Sequence, residues 1–383
     1  MCPAVQRVRS VFAPVAQLSF SAARLDECRA FLELRSADTE CVPVVDSRQL
    51  EMAADGTLVE TGYRFNPIGF SAVANALMPG LSGVFNDLSG ESHNRHAASS
   101  ESGELSAAIS IYNTALHSRM ESVRERVLIL NHREKTIDGC LSIDYKMLDN
   151  TLFFNNIADE MQHEQPTANF YRAELVGREL RVYYIDPASR RSDICGDPQH
   201  VFAAGWYFSN KEDAGIALRA APCLFTKFGV AVDGRQRQAH IRHIGADFFG
   251  RATLLIRHAA QKDIDMAVVE KAISRLCSTT LTFSDERIAF SSALLRWVNY
   301  LVSFRIGREV AKQICKNAAY VGADVSPRHV LESSSKETLA SRTMYDLFCS
   351  TLRYSKSQYH TTRDLLQSVA MQMLFPSTQN DRS

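Results

Sequence analysis

The chain of 383 residues is 45% hydrophobic and 22% charged, and its 43 Lys and Arg residues balance its 43 Asp and Glu residues. A disordered chain would be poorer in apolar residues, and a content of 18 Gly and 11 Pro excludes a collagen-like filament. A net charge of zero excludes a uniformly basic nucleic-acid coat protein, although it leaves room for a local basic patch. The length predicts two or three packed units, or one large domain with an extension.

Cysteine spacing and hydropathy predict a cytoplasmic protein. The nine cysteines are spread singly along the chain without a CxxC pair, which is typical of free thiols in a reducing compartment. The N-terminal segment lacks the continuous apolar run of a secretory signal. The longest uncharged stretch, 65–86, is interrupted by Pro and Gly, so it predicts a buried helix pair and not a membrane helix.

The first third of the chain predicts few regular elements. Residues 1–60 predict an irregular, partly extended lead-in with a short strand at 42–45. Residues 66–88 predict two helices separated at a Pro-Gly break, and the Ser-rich stretch 89–103 predicts a loop. Residues 104–120 predict a helix, because apolar side chains recur there on one helical face.

The middle of the chain has the pattern of an antiparallel sheet. Runs of β-branched and aromatic residues bounded by turn residues lie at 126–131, 140–144, 178–186, 205–209, 229–232 and 239–244. The dipeptides Asp138-Gly139 and Asp233-Gly234 predict hairpin turns between such strands. A helix predicted at 149–161 interrupts them, and the irregular spacing argues against a repeating β-α-β pattern.

The remainder of the chain is predicted to be helical. Helices are expected at 264–277, 285–304, 307–320, 335–354 and 361–374. The fold class is therefore α+β, with an antiparallel sheet core flanked by helices and an all-helical C-terminal third. The expected divisions are a lead-in at 1–60, an α+β core domain at 61–262 and a helical C-terminal region at 263–383.

Two segments carry a resemblance to a known family. An apolar strand and a short turn precede Leu141, Ser142, Tyr145, Asp149 and Asn150. The pattern resembles the Leu-Ser-x-x-Tyr-x-x-x-Asp-Asn run of the phage- and plasmid-associated domain of unknown function family 932.

The second segment of the resemblance lies at 208–245. It has a polar turn at 208–215, an apolar stretch that includes Cys223 and Gly229, and a His243-Ile-Gly245 triplet. It departs from the family at Lys211 and at Phe228, where the family has a small polar residue and Asn. The resemblance covers residues 60–290 and implies a phage or plasmid setting. It implies no established reaction, so no catalytic residue follows from it.

A basic segment is the main functional signal. Between residues 219 and 262 eight Lys or Arg residues are opposed by two Asp residues, and Arg outnumbers Lys by 33 to 10 in the whole chain. The planar guanidinium is suited to phosphate. A sheet that carries basic and aromatic side chains is one way to hold a single strand. The predicted phosphate contacts are Arg235, Arg237, Arg242, Arg251 and Arg257, with Lys227 and His243 as secondary candidates. The alternative is that these side chains pair with carboxylates elsewhere in the fold.

Several chemical interpretations are less favoured. His240 and His243 are three residues apart in a predicted strand and so point to opposite faces, and the sequence has neither HExxH nor a Cys pair, so no metal and no cofactor is expected. Asp149 or Asn150 is expected to cap a helix. Glu212 and Asp213 are expected to be solvated in a turn. An enzyme with a site around Ser142, Tyr145 and Glu212 stays an alternative.

The leading hypothesis is therefore a phage- or plasmid-type nucleic-acid-binding protein without catalytic activity, favouring single strands, in replication or recombination of a mobile element. The rival is a homo-oligomeric structural protein that assembles through its C-terminal helices, with Trp297, Tyr300 and Phe304 on the core or oligomer face.

Overall fold

A computed structural model of the protein describes residues 19–66, 69–70, 72–74, 102–118, 125–192, 201–212, 218–233, 240–279, 290–320, 343–358 and 360–375. The strands are β1 Ser19–Ala22, β2 Thr39–Pro43, β3 Arg64–Phe65, β4 Arg126–Asn131, β5 Thr136–Ser142, β6 Asn169–Val176, β7 Glu179–Ile185, β8 Phe202–Lys211, β9 Leu218–Thr226, β10 Gly229–Val232 and β11 His240–Ile241. The helices are α1 Leu25–Ala37, α2 Ser102–His117, α3 Asn150–Glu164, α4 Phe248–Ala260, α5 Met266–Ser278, α6 Phe290–Ser303, α7 Arg308–Tyr320, α8 Met344–Ser355 and α9 His360–Leu374.

The larger sheet is antiparallel throughout its described strands. Its order is β1-β6-β7-β8-β9-β10, and β11 pairs with the end of β9 that β10 leaves open. Residues paired directly across antiparallel strands point to the same face. The register places Ala173, Val182, Phe208 and Ala220 in one cross-strand row, and that face packs on α1, α3 and α4. The opposite face carries the cross-strand row of Glu174, Arg181, Ser209 and Arg219.

The smaller sheet has the order β2-β4-β5-β3 and contains one parallel pair, β3 with β5. Its core is formed by apolar side chains of these strands together with α2, in which Ile109, Tyr112 and Leu116 are buried. They are three of the four apolar positions that helical periodicity predicts on one face; the side chain of the fourth, Leu105, is not among those described.

The C-terminal helices pack around the end of the larger sheet. Residues of α5 to α9 form one apolar cluster with Leu224 of β9 and Ala231 of β10. The fold is thus α+β, with an antiparallel sheet core flanked by helices and a helical C-terminal region, as the sequence predicts.

The lead-in differs from its prediction. Residues 19–22 pair with β6, residues 39–43 pair with β4, and a helix of 13 residues lies between them. Cys28 and Leu32 bury one side of this helix against the larger sheet. The stretch looks irregular in sequence because charged residues interrupt the apolar positions of its helix and leave only a narrow apolar side.

The hairpin predicted at Asp138-Gly139 is also wrong. Both residues lie inside β5, and the chain turns earlier, where Lys135 adopts a φ of 54°. Asp138 is held in the strand because its carboxylate accepts hydrogen bonds from Asn66, Thr136 and Arg178. Partners distant in sequence override the local turn preference.

Candidate nucleic-acid interface

The predicted arginines are divided between several environments. Arg235 and Arg237 lie outside the described residues. Arg242 is exposed, directly after β11. Arg251 in α4 donates from Nη2 to the carbonyl oxygen of Ile244, and its side chain therefore secures the loop that precedes the helix.

Arg257 is engaged in the ion pairing that the alternative interpretation anticipated. Its Nε and Nη2 atoms donate to both carboxylate oxygens of Glu160 on α3, each at 2.9 Å, and its Nε lies 3.9 Å from Glu164. A phosphate would have to compete with a two-pronged carboxylate contact at this position.

His243 is not placed to contact a nucleic acid at the surface. Only 2% of the residue is exposed, and its ring stacks between Tyr145 at 5.0 Å and Phe248 at 4.6 Å between centroids. Burial lowers the pKa of His243 to about 4, so its ring is neutral at physiological pH. Although His243 lies in a basic segment of the sequence, its aromatic neighbours bury it. Its ring packs between Tyr145, which follows β5, and Phe248, the first residue of α4.

Lys227 lies in a different setting, where cations and aromatic rings gather. It occupies the turn between β9 and β10, and its Nζ lies 5.2 Å from the ring centroid of Phe228. The guanidinium of Arg353 from α8 lies 5.1 Å from the same ring. Lys356, just after α8, donates from Nζ to the carbonyl oxygen of Lys227 at 3.1 Å.

Two residues of β6 extend this surface. Tyr171 is 44% exposed, and the guanidinium of Arg172 lies 5.6 Å from its ring centroid. The Tyr171 ring packs edge-on against Phe225 of β9 at 4.8 Å. We call Tyr171, Arg172, Lys227, Arg353 and Lys356 the basic–aromatic surface.

The electrostatics of this surface are positive. Burial, together with the charges of Arg172 and Arg353, lowers the pKa of Lys356. Within the described part of the chain, neither Arg353 nor Lys356 lies within ion-pair distance of a carboxylate. Like charges held this close raise each other's free energy, and an anion between them would relieve the repulsion.

The backbone brings β10 and α8 together at a glycine. A Cβ atom on Gly229 would meet the carbonyl oxygen of Leu352 at 3.0 Å, closer than side chains normally allow. Thr226 closes the turn, since its Oγ1 accepts from the amides of Phe228 and Gly229 at 3.0 and 3.1 Å. Glycine at this position therefore lets α8 present Arg353 and Lys356 beside Lys227.

The structure separates Lys227 from the other described candidates. Arg242 follows β11, which pairs with the first residues of β9, whereas Lys227 follows the last residue of that strand. At the rise of a β-strand the nine residues of β9 span about 27 Å. Arg251 and Arg257 belong to α4, which packs on the apolar face of the sheet. The basic segment of the sequence is thus not one patch in space.

Sequence reasoning missed the contribution of residues far from this segment. Arg172, Arg353 and Lys356 lie 55 or more positions away from Lys227. The sequence of α8 and its end does contain a signal, because Arg353, Tyr354 and Lys356 combine basic and aromatic side chains. Only the contact of α8 with β10 could show where that signal belongs.

The alternative enzyme site is brought together, but its carboxylate is fully engaged. Glu212 is buried, contrary to the solvated turn predicted for it. Its Oε1 accepts from the backbone amide of Asn150 at 2.8 Å, and its Oε2 accepts from Nη1 of Arg178 at 3.1 Å. Burial raises the pKa of Glu212 despite the facing Arg178. Asp213 lies outside the described residues.

The neighbours of Glu212 also have structural partners. Asp149 caps α3 as predicted, since its Oδ1 accepts from the amides of Thr151 and Leu152. Tyr145 donates from its hydroxyl to the carbonyl oxygen of Lys211, and Ser142 Oγ accepts from the amide of Asp144. These contacts of Asp149 and Ser142 are local, and the Tyr145 hydroxyl connects the segment after β5 to the end of β8.

The aromatic stripe of the C-terminal helices is packed inside the protein. Trp297 is buried in the cluster formed by α5 to α9, and Tyr300 and Phe304 pack against that cluster. Of the two predicted locations, the core and an oligomer face, Trp297 lies in the core.

Comparisons with protein families, with curated proteins and with solved structures find no match for this chain. The resemblance to family 932 therefore stays a prediction. None of the helices in the described ranges has the length and apolarity needed to cross a membrane.

Proposed function

We propose that the protein binds single-stranded nucleic acid through the basic–aromatic surface. The observation that carries the proposal is the cluster of three cations at the turn between β9 and β10. Lys227 and Arg353 lie over the ring of Phe228, and Lys356 donates to the carbonyl oxygen of Lys227. Arg353 and Lys356 lack a carboxylate partner among the described residues. Lys and Arg that are not neutralised within the fold are the groups that replace counterions on phosphates.

The aromatic side chain favours a single strand over a duplex. Tyr171 is nearly half exposed beside Arg172, so an unpaired base has a ring on which to stack. A duplex keeps its bases stacked internally and would use only the cations. The proposal keeps Lys227 from the sequence prediction and moves the remaining phosphate contacts from the 235–257 arginines to Arg353 and Lys356. The setting in a mobile element is a further prediction that this surface does not depend on.

Two triple variants of equal charge change test the assignment. One carries Lys227→Gln, Arg353→Gln and Lys356→Gln; the control carries Arg242→Gln, Arg251→Gln and Arg257→Gln. Binding of labelled single-stranded and double-stranded DNA and RNA of about 20 nucleotides is measured by fluorescence anisotropy. Salt is varied from about 50 to about 300 mM, and thermal melting verifies that each variant is folded.

We expect the first triple variant to lose most of its affinity for single strands. The slope of log affinity against log salt should fall by about 2, because each lost single-strand phosphate contact removes about 0.7. The control should retain both affinity and slope. A loss of affinity in the control alone would assign binding to Arg242, Arg251 and Arg257, as predicted from the sequence. If the wild type binds no nucleic acid at the lowest salt, the proposed function is refuted.

A further inference from the structure

A second polar cluster lies on the face of the larger sheet opposite α1, α3 and α4. Strand register places Glu174, Arg181, Ser209 and Arg219 in one cross-strand row, and Arg172, Tyr183 and Tyr207 in the next. The first turns of α9 add Arg363, which donates to Glu174 at 2.8 Å, and Asp364. Asp364 lies 3.0 Å from Arg181 and 3.1 Å from Arg219.

Many polar atoms of this cluster lack a hydrogen-bond partner among the described residues although they are buried. They are the hydroxyls of Tyr183, Tyr207 and Ser209, Nη1 of Arg181, Oε2 of Glu179 and Oε1 of Gln367. Arg181 and Tyr183 are 0% exposed, Ser209 and Glu179 are 1% exposed, and Tyr207 is 2% exposed. Buried polar atoms are normally paired, so a group of unpaired ones on one sheet face calls for a ligand or another explanation.

The two tyrosines of this cluster lie side by side. The ring centroids of Tyr183 and Tyr207 are 5.3 Å apart. The charges of Arg181 and Asp364 both act on the pKa of Tyr183 and of Tyr207, which burial raises above the ordinary value. Both tyrosines are consequently protonated at neutral pH and can donate as well as accept.

The chemistry of the cluster suits a neutral polar ligand. Four guanidinium groups, those of Arg172, Arg181, Arg219 and Arg363, face three carboxylates, those of Glu174, Glu179 and Asp364. The charges nearly cancel, so a free anion gains little there. The cluster offers both donors and acceptors beside the aromatic rings of Tyr183 and Tyr207, and a nucleobase edge takes both kinds of hydrogen bond.

The cluster borders the basic–aromatic surface. The guanidinium of Arg172 lies 5.4 Å from the ring centroid of Tyr183 and also acts on the pKa of Lys356. Arg363 donates from Nη2 to the carbonyl oxygen of Lys356. The side chains of Arg172 and Arg219 are 35% and 40% exposed and form the solvent side of the cluster.

We infer that this polar cluster binds a nucleobase, with Tyr183, Tyr207, Ser209 and Asp364 reading its hydrogen-bonding edge. As a site for a base of the bound strand the inference rests on the proposed function, and the same chemistry would also take a free nucleoside.

Hydroxyl-deletion variants test the inference with a matched control. Tyr207→Phe and Ser209→Ala remove one unpaired hydroxyl each, whereas Tyr112→Phe removes a buried hydroxyl that donates to the carbonyl oxygen of Leu50 in the core beside the smaller sheet. Calorimetry measures binding of adenosine, guanosine, cytidine and uridine to each variant. Anisotropy measures binding of an oligonucleotide of about 12 nucleotides and of an abasic oligonucleotide of the same length.

The wild type should bind at least one nucleoside, and Tyr207→Phe and Ser209→Ala should each weaken that binding about tenfold while Tyr112→Phe leaves it unchanged. The base-bearing oligonucleotide should bind the wild type more tightly than the abasic one, and Tyr207→Phe should reduce this difference while leaving the part that comes from stacking on Tyr171. Melting curves check folding, and Ser209→Ala provides the result if Tyr207→Phe is unfolded.

The outcomes separate the two proposals. A difference between base-bearing and abasic strands that Tyr207→Phe and Ser209→Ala leave unchanged, with no nucleoside bound, overturns the base site and leaves the proposed function standing. Failure of both oligonucleotides to bind refutes the proposed function. Nucleoside binding that the hydroxyl deletions weaken would then still support the site as one for a free nucleoside, and its absence would overturn that assignment as well.

Discussion

Two buried arginines, three positions apart, have opposite surroundings. Arg178 lies in the turn between β6 and β7 and is 3% exposed, and Arg181 lies on β7 and is 0% exposed. Arg178 donates to Asp138 from Nε and Nη2 at 3.0 and 2.8 Å and to Glu212 from Nη1 at 3.1 Å. Asp138 belongs to the smaller sheet and Glu212 follows a strand of the larger one, so this arginine fastens the two sheets together.

Arg181 is less completely paired. Its Nε donates to Glu179 at 2.9 Å, and its Nη2 lies 3.0 Å from Asp364, but Nη1 has no hydrogen-bond partner in the described part of the chain. Hydroxyls without described partners surround it, whereas the carboxylates around Arg178 are saturated with donors. A saturated network specifies structure, whereas an incomplete one requires a further partner, and we propose a ligand for that role.

The largest expected effect comes from Arg178→Met. The change leaves Asp138 and Glu212 buried without their cation, and removing one partner of a buried ion pair costs about 3–5 kcal/mol. Urea unfolding of Arg178→Met and Arg181→Met, followed by circular dichroism, compares the two arginines. We expect the larger loss of unfolding free energy for Arg178→Met, since Arg178 has more hydrogen bonds to lose. An equal or larger loss for Arg181→Met would contradict the distinction.

The pH dependence of the unfolding free energy tests the incompletely paired cluster through Asp364. Burial raises the pKa of Asp364 from 3.8 to about 6, although Arg181, Arg219 and Arg363 face it. The folded state then binds the proton more tightly than the unfolded state, so this carboxyl's contribution to stability is complete below about pH 4 and is lost as the pH rises to about 6. Two pKa units correspond to at most about 3 kcal/mol.

The measurement is the difference in unfolding free energy between the wild type and Asp364→Asn across this pH range. The amide cannot titrate, so the wild type should lose stability relative to the variant as the pH increases from 4 to 6. The contribution of Glu212 is common to both proteins and cancels. A difference that is flat, or that rises with pH, would show that the arginines stabilise the Asp364 carboxylate in the fold.

The sequence predicted the local features of these regions but not their long-range contacts. Strands 126–131 and 229–232 have the predicted bounds, because apolar and β-branched runs there end at polar or glycine residues. Asp149 as a cap was also predictable, since its partners are two and three residues away. Local chemistry determines such features, and one sequence is enough to see them.

The buried charges depend on pairing that no local pattern contains. Asp138 meets Arg178 across 40 positions, and Asp364 meets Arg219 across 145. A charged residue in a single sequence is expected at the surface, so Glu212 was predicted to be solvated. One signal was present: Glu179, Arg181 and Tyr183 alternate with Leu180 and Val182, which predicts a polar face on β7. The sequence does not show that this face is buried, because the helix that covers it, α9, lies far away in the chain.

The smallest expected effect compares two tyrosines. Tyr112 and Tyr207 are both buried, but the Tyr112 hydroxyl donates to the carbonyl oxygen of Leu50 at 3.0 Å and the Tyr207 hydroxyl has no described partner. Tyr112→Phe should therefore lower the unfolding free energy by about 1 kcal/mol, the usual net value of a buried hydrogen bond. Tyr207→Phe removes a desolvated hydroxyl that gains nothing from the fold, so it should leave the stability of the ligand-free protein unchanged or increase it. Thermal melting of the two variants under identical conditions measures the contrast. A clear loss for Tyr207→Phe would mean that its hydroxyl is bonded in the ligand-free protein, and the polar cluster would then be as complete as the network around Arg178.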